Sequence, residues 1–182
     1  TLKVRATGKQ DIVSYLPTAA LAASGGISAS VGVNTIDSSA EAYIYESENG
    51  QTVINGDSSK ASALQDVEVS AESDSRIHTT IAAGSAAGGA GVGAGIGVST
   101  INGKTSAGIG AGSEVNAGRN IKIESVNTRK TDDLAVSAAA GGIGAANGSI
   151  LVSNIGSNLD ADSKEATEGV QGAVNEQLAA NS

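Results

Sequence analysis

Apolar and small or polar residues alternate one by one along much of this chain. From Gly89 the order is Gly-Ala-Gly-Val-Gly-Ala-Gly-Ile-Gly-Val, ending at Val98, with glycine at each odd position and an apolar residue at each even one. A period of two predicts an extended strand. One face of that strand carries Ala90, Val92, Ala94, Ile96 and Val98. The other is bare backbone, which lets a second layer come unusually close. The same alternation runs through Ile27-Ser28-Ala29-Ser30-Val31-Gly32-Val33 and, more weakly, around Ile150-Leu151-Val152.

The pattern repeats. A short alternating strand opens each of three copies: Leu2–Ala6, Val67–Ala71 and Ile121–Ser125, at offsets of 65 and 54 residues. A glycine-rich run follows, holding Gly25-Gly26, Gly88-Gly89 and Gly141-Gly142. Each run then reaches a Val-x-x-Ile step, at Val33, Val98 and Val152, again 65 and 54 residues apart. Two landmarks with the same offsets mark a genuine repeat. The reading is copy 1 over 1–66, copy 2 over 67–120, a partial copy 3 over 121–164, and a tail or cap over 165–182. In that last stretch Val170, Val174 and Leu178 stand four apart, a helical spacing. Copy 1 is longer by 11 residues between Ile36 and Val67. Tyr43-Ile44-Tyr45, Asn49-Gly50 and Thr52-Val53-Ile54 lie there, and Asn-Gly between β-formers predicts an added hairpin near 43–54, or else an enlarged loop on the repeating frame.

Ile81 to Ile101 is a run of 21 uncharged residues, long enough for a membrane-spanning helix, but seven of them are glycine. Glycine weakens a helix by about 1 kcal/mol each, so strands are expected instead. Asn55-Gly56, Asn102-Gly103, Ala117-Gly118 and Asn147-Gly148 read as turns. The expected fold class is all-β: a β-solenoid of Gly/Ala-rich repeats, each 54–65-residue unit supplying two or three coils. A stacked antiparallel β-sandwich is the alternative.

Composition sharpens this picture. The chain has 182 residues with no Phe, Trp, Met or Cys and only three Tyr, so Ala, Val, Ile and a few Leu must make the core. Such side chains suit closely spaced sheets more than a thick globular centre. The net charge of −8 and pI near 4.5 speak against nucleic acid and against an anionic membrane surface. Without cysteine there is neither a disulfide framework nor a thiolate metal site. Thr1 opens mid-pattern with no visible signal peptide, so the chain is expected to be cut from something longer.

Candidate chemistry is sparse. His78, the only histidine, lies in Arg76-Ile77-His78-Thr79-Thr80 with no nucleophile element beside it, and is expected to face solvent on a strand. Gly89-Ala90-Gly91-Val92-Gly93-Ala94 matches a dinucleotide fingerprint only as a window of the longer alternation. Asn158, Asp160, Asp162 and Glu165 have the spacing of alternate oxygen ligands and suit Ca2+, but the loop glycine of such sites is missing, so no cofactor is expected. Asp132-Asp133 reads as a second acidic turn. Glu46 and Glu48 flank a turn, without the aromatic neighbours that polysaccharide cleavage uses. Tyr43 and Tyr45 share one strand face and are the best candidates for binding. No enzymatic activity is expected. Exposed strand edges at either end of a stack would favour self-association.

Val115-Asn116-Ala117-Gly118-Arg119-Asn120 followed by Ile121-Lys122-Ile123-Glu124-Ser125 resembles the recurring coil of filamentous-haemagglutinin-like adhesins. The glycine-rich run ending in Val-x-x-Ile, followed by Ala40-Glu41-Ala42-Tyr43-Ile44, is similar to repeats of fusobacterial leukotoxin-type filamentous adhesins and related autotransporter passengers. The likeness covers nearly all of 1–160. It implies a right-handed parallel β-helix, secretion through an outer-membrane pore, and an extracellular or bacterial cell-surface role as stalk or adhesive module. A host or bacterial surface receptor would be the partner. The resemblance carries over no catalytic residue.

Overall fold

The computed structural model describes residues 1–45, 48, 50–57 and 63–156. The tail and the acidic group Asn158, Asp160, Asp162 and Glu165 lie outside them, as do Glu46 and Asn49. The described residues are all-β, with no helix and no closed barrel. Copy 1 forms β1 (Leu2–Ala22), β2 (Gly25–Ile44) and β3 (Thr52–Ile54). Copy 2 forms β4 (Asp66–Ala87), β5 (Ala90–Ile109) and β6 (Ser113–Val115). Copy 3 supplies β7 (Asn120–Gly141) and β8 (Gly144–Ile155).

Strands from successive copies pair with one another. The sheets have the orders β1-β4-β7, β2-β5-β8 and β3-β6. β5 and β8 run parallel with Ala90 opposite Gly144 and Ile101 opposite Ile155, which is the sequence offset of 54. β3 and β6 are also parallel, with Thr52 opposite Ser113. These registered pairs are therefore not those of an antiparallel sandwich. Copies 1 and 2 give one strand to each of the three sheets, and the described part of copy 3 gives one to each of the first two, where two or three coils per repeat were expected. The strands are 20 to 22 residues long in β1, β2, β4, β5 and β7, and so consume the repeat.

Several turn expectations fail for one reason. Asn102-Gly103 and Asn147-Gly148 lie inside β5 and β8, because neither glycine takes the positive φ that would break the strand. Asp132-Asp133 likewise sits inside β7. Among the described residues β3 pairs with β6 and not with β2. The extra residues lengthen two links instead. Seven residues join β2 to β3 where three join β5 to β6, and eleven join β3 to β4 where four join β6 to β7. Asn55, at φ 55°, ends β3. Its side-chain amide donates to the Asn116 carbonyl at 2.5 Å, and Asn116 returns the bond to the Asn55 carbonyl at 3.1 Å.

Packing divides the chain into two units, each drawing on all three copies. The first holds 1–10, 37–75 and 103–129; the second holds 11–36, 76–102 and the chain from 130 onward. In the first unit Ala42, Ile44, Val67, Val69 and Ala71 form the buried cluster, with Leu2, Val4, Ile54, Ile109 and Val115 against it. In the second, Ile36, Ile77 and Ile101 are buried together with Ile12 alongside. Alternate residues of the long strands face these interiors, along the whole of β1 and β4 and over the second half of β7. In β4 the inward set runs Val67, Val69, Ala71, Ser73, Ser75, Ile77, Thr79, Ile81.

The interior is not an unbroken apolar column, because buried hydroxyls and amides lie between the aliphatic side chains. Within the first unit Ser75 donates to Gln10 at 3.2 Å and lies 3.3 Å from Ser38. Within the second, Asn34 donates to Thr79 at 2.8 Å, Thr79 and Ser99 share a bond of 3.2 Å, and Ser99 donates to Asp133 at 2.9 Å. Burial without such partners would cost each group about 1–3 kcal/mol. The bare face of the glycine tract turns inward. A Cβ on Gly93 would stand 2.7 Å from the Ala138 carbonyl oxygen and 3.4 Å from that of Ala83. The neighbouring layer thus approaches to backbone contact, as the alternation predicts.

Candidate functional site

Tyr43 and Tyr45 lie at the end of β2. Ile44 points inward and is buried, so the residues on either side of it are turned outward together. Their rings stack with centroids 5.0 Å apart and planes 27° from parallel. Tyr45 keeps 62 % of its surface exposed, while Tyr43 is half-buried.

The strand beneath them explains the arrangement. Gly108 and Gly110 lie beside the rings: a Cβ on Gly108 would be 2.7 Å from Cε1 of Tyr43, and one on Gly110 would be 2.9 Å from Cδ1 of Tyr45. The rings fill the space that side chains at 108 and 110 would take. Aromatic cover of a neighbouring strand's glycine protects backbone that would otherwise be bare. The Gly110 amide also donates to the Ile44 carbonyl at 2.8 Å, which holds the strand end under Tyr45. Sequence reasoning found the tyrosines but missed these glycines. The signal was present, since Gly108 and Gly110 follow Tyr43 and Tyr45 by the repeat offset of 65.

One ion pair borders the platform. Lys104 Nζ is 2.9 Å from Glu41 Oε1, and Ser39 donates to the same carboxylate oxygen at 3.2 Å. The hydrogen bond and charge of Lys104 hold the Glu41 carboxyl below its ordinary value. The same pairing raises Lys104, with Tyr43 and Tyr45 adding smaller contributions. The site offers two stacked phenols, an anchored carboxylate and an ammonium. It can hold a flat or weakly apolar ligand edge and donate or accept hydrogen bonds.

A second charged group has a structural arrangement. Lys3 and Arg5 meet Glu68 at 2.9 and 3.5 Å, and Lys122 meets Glu124 at 2.6 Å. Arg119 forks onto Asp66, with Nε donating at 2.8 Å and Nη2 closing the pair, while Asn120 donates to Asp66 at 3.1 Å. The Arg119 hydrogen bond, helped by Asn120, pulls the Asp66 carboxyl down to about 2. The Glu68 and Asp66 pairs join residues 53 to 65 apart in the chain, whereas Lys122 and Glu124 pair within β7.

The remaining candidates do not converge. His78 is exposed on β4, pointing away from the inward Thr79, whose hydroxyl leads through Ser99 to Asp133. No Ser-His-Asp grouping is assembled by these residues. Glu48 is exposed in the link after β2. Among the described residues no three His, Asp or Glu side chains gather as a metal site, and no helix is long and apolar enough to cross a membrane. No family model, curated protein or solved structure matches the chain.

Proposed function

We propose that this chain is a non-catalytic repeat segment of a bacterial surface or secreted filamentous adhesin, acting as stalk and as contact module. The carrying observation is the outward tyrosine pair seated over glycines of the next copy. It is an aromatic contact surface mounted on a repeating frame. Tyrosine favours such surfaces because it brings large contact area with little conformational entropy to lose. On this reading the parallel pairing at the repeat offset is a right-handed β-helix winding, one turn per copy, and the partner is a host or bacterial surface receptor met outside the cell. The arrangement needs no cofactor.

The test uses beads coated with the chain and cultured epithelial cells. Tyr43→Ser with Tyr45→Ser should reduce bead retention at least about tenfold, equivalent to about 1.4 kcal/mol, with the β circular dichroism spectrum unchanged. Retention equal to the parent's would reject the platform as the contact site.

A second reading is a self-assembling extracellular fibre. It is favoured by the outermost strands β1, β2, β7 and β8, which border their sheets on one side only. Open edges template further pairing. Electron microscopy separates the two, since ordered filaments from purified chain favour the fibre and dispersed particles favour the adhesin segment.

A further inference from the structure

The outward face of the β1-β4-β7 sheet in the second unit carries no work in the reading above. Its positions are Val13, Tyr15, Pro17, Ala19 and Leu21 on β1, Thr80, Ala82, Gly84 and Ala86 on β4, and Leu134, Val136, Ala138 and Ala140 on β7. None is charged. Leu21 is 85 % exposed, Val13 72 % and Leu134 54 %, so the large side chains stand free. The opposite sheet also leaves Val31 and Val33 open on β2, at 48 % and 68 %, but its central strand is covered, with Ile96 and Val98 only 3 % and 7 % exposed. Large apolar groups left open in one contiguous patch mark an interaction surface.

The face has relief. The central strand bears only small groups at Ala82, Gly84 and Ala86, while its neighbours bear Leu21 on one side and Leu134 and Val136 on the other. A groove lined by Leu21, Gly84, Ala86, Ala138 and Ala140 follows from this. We infer that this face pairs with the same face of a second copy of the chain. Two such faces displaced by one strand are complementary, because the larger side chains of each flank fill the other's trough.

Charge supports a copy as occupant. The chain carries −8 and repels itself in general. On this face the bordering outward charges are Asp11, Arg76, Lys130 and Asp132, two of each sign, so they sum to zero. Here two acidic chains can meet without net repulsion. Area sets the strength. Three strands of ten residues cover roughly 480 Å2 per copy, so a pair would hide about 950 Å2. That is close to the lower limit of about 1,000 Å2 for specific interfaces, and it fits weak, concentration-dependent pairing.

A lipid surface is the competing occupant, and backbone energetics disfavour it. β1 and β7 bound this sheet and present N–H and C=O groups along their outer edges. In hydrocarbon each unpaired group costs several kcal/mol, more than small Ala and Gly side chains return. In water those groups stay solvated, and face-to-face pairing leaves them so.

The experiment is sedimentation velocity of the whole chain over a wide dilution series, with Gly84→Lys and Leu134→Ser as variants. A Cβ at Gly84 would meet only the Thr18 carbonyl oxygen at 3.9 Å, so the single chain accommodates the change. The parent should pass from monomer to dimer with concentration. Each variant should raise the dissociation constant at least about tenfold, with the β spectrum retained. Should Gly84→Lys disturb that spectrum, Leu134→Ser decides. A parent that is monomeric throughout overturns the inference. So does parent-like association in both variants, which would assign pairing to strand edges. Flotation of a buffer-monomeric parent with phosphatidylcholine vesicles would also overturn it, making lipid the occupant. The bead experiment above is independent, because it alters only Tyr43 and Tyr45.

Discussion

Single residues in this chain are read by which way they point. Gly93 faces inward against the Ala138 carbonyl, whereas Gly84 faces outward with room for a methyl group. Gly93→Ala should therefore cost about 2 kcal/mol or more, because a rigid backbone atom must move. Gly84→Ala should be neutral or stabilise by about 0.5 kcal/mol, by restricting the unfolded chain. Urea unfolding midpoints of the two variants check this, and equal effects would contradict the inward assignment. Buried serines divide in the same way. Ser73 is buried with its hydroxyl unpaired among the described residues, while Ser75 bonds Gln10 and lies against Ser38. Ser73→Ala should be neutral or stabilising, and Ser75→Ala should destabilise by about 1 kcal/mol. The alternation made the two faces of the glycine tract visible in the sequence, and with them the close approach of a second layer. The hydroxyl pairs were not visible, since Asn34 to Thr79 and Ser99 to Asp133 are contacts between residues far apart in the chain.

At the scale of elements, the sequence showed the strands better than their ends. The opening strands and the glycine-rich runs were legible because period two is a local signal. Asn102-Gly103 and Asn147-Gly148 misled because Asn-Gly favours a turn only where nothing outweighs it. Here both dipeptides stay extended within paired strands, Asn147-Gly148 lying opposite Gly93 and Ala94. The same limit hid the destination of Thr52–Ile54, whose partner lies 61 residues away. Tyr43 and Tyr45 were legible as a shared face, but their glycine seats belong to the next copy. Where copies join, charge pairs tie strand to strand, and this gives a pH signature. Asp66 is drawn from its ordinary 3.8 to about 2 by Arg119. A carboxyl depressed by folding stabilises fully above its unfolded value and loses that contribution as pH falls. Thermal stability should therefore decline between about pH 4 and pH 2. Asp66→Asn should flatten that part of the profile, and a profile identical to the parent's would remove the pair from the account.

For the whole molecule, stability should be shared along the chain, because each strand is paired with its counterpart in another copy. Ile77 and Ile101 come from the same copy but from two different sheets, and both are buried in the second unit's cluster. Ile77→Ala should cost about 2–5 kcal/mol in the urea midpoint, as for a filled core position. A change within about 0.5 kcal/mol would show that this cluster does not hold the unit together. The offset of 54 was legible from the sequence alone and reappears as the register of β5 on β8. The one-strand-per-sheet arrangement was not, because offsets fix the repeat length and not how often the chain bends within it.

Parallel pairing of copies at the repeat offset underlies all of this, and engineered disulfides test it directly because the chain has no cysteine of its own. Thr100 and Asn154 are register partners on β5 and β8, while Ile150 is the partner of Ile96 and lies away from Thr100. Disulfides need Cα atoms within about 7 Å. Thr100→Cys with Asn154→Cys should close an internal bridge on mild oxidation, seen by peptide mass mapping, and Thr100→Cys with Ile150→Cys should not. Bridging by the second pair and not the first would contradict the account.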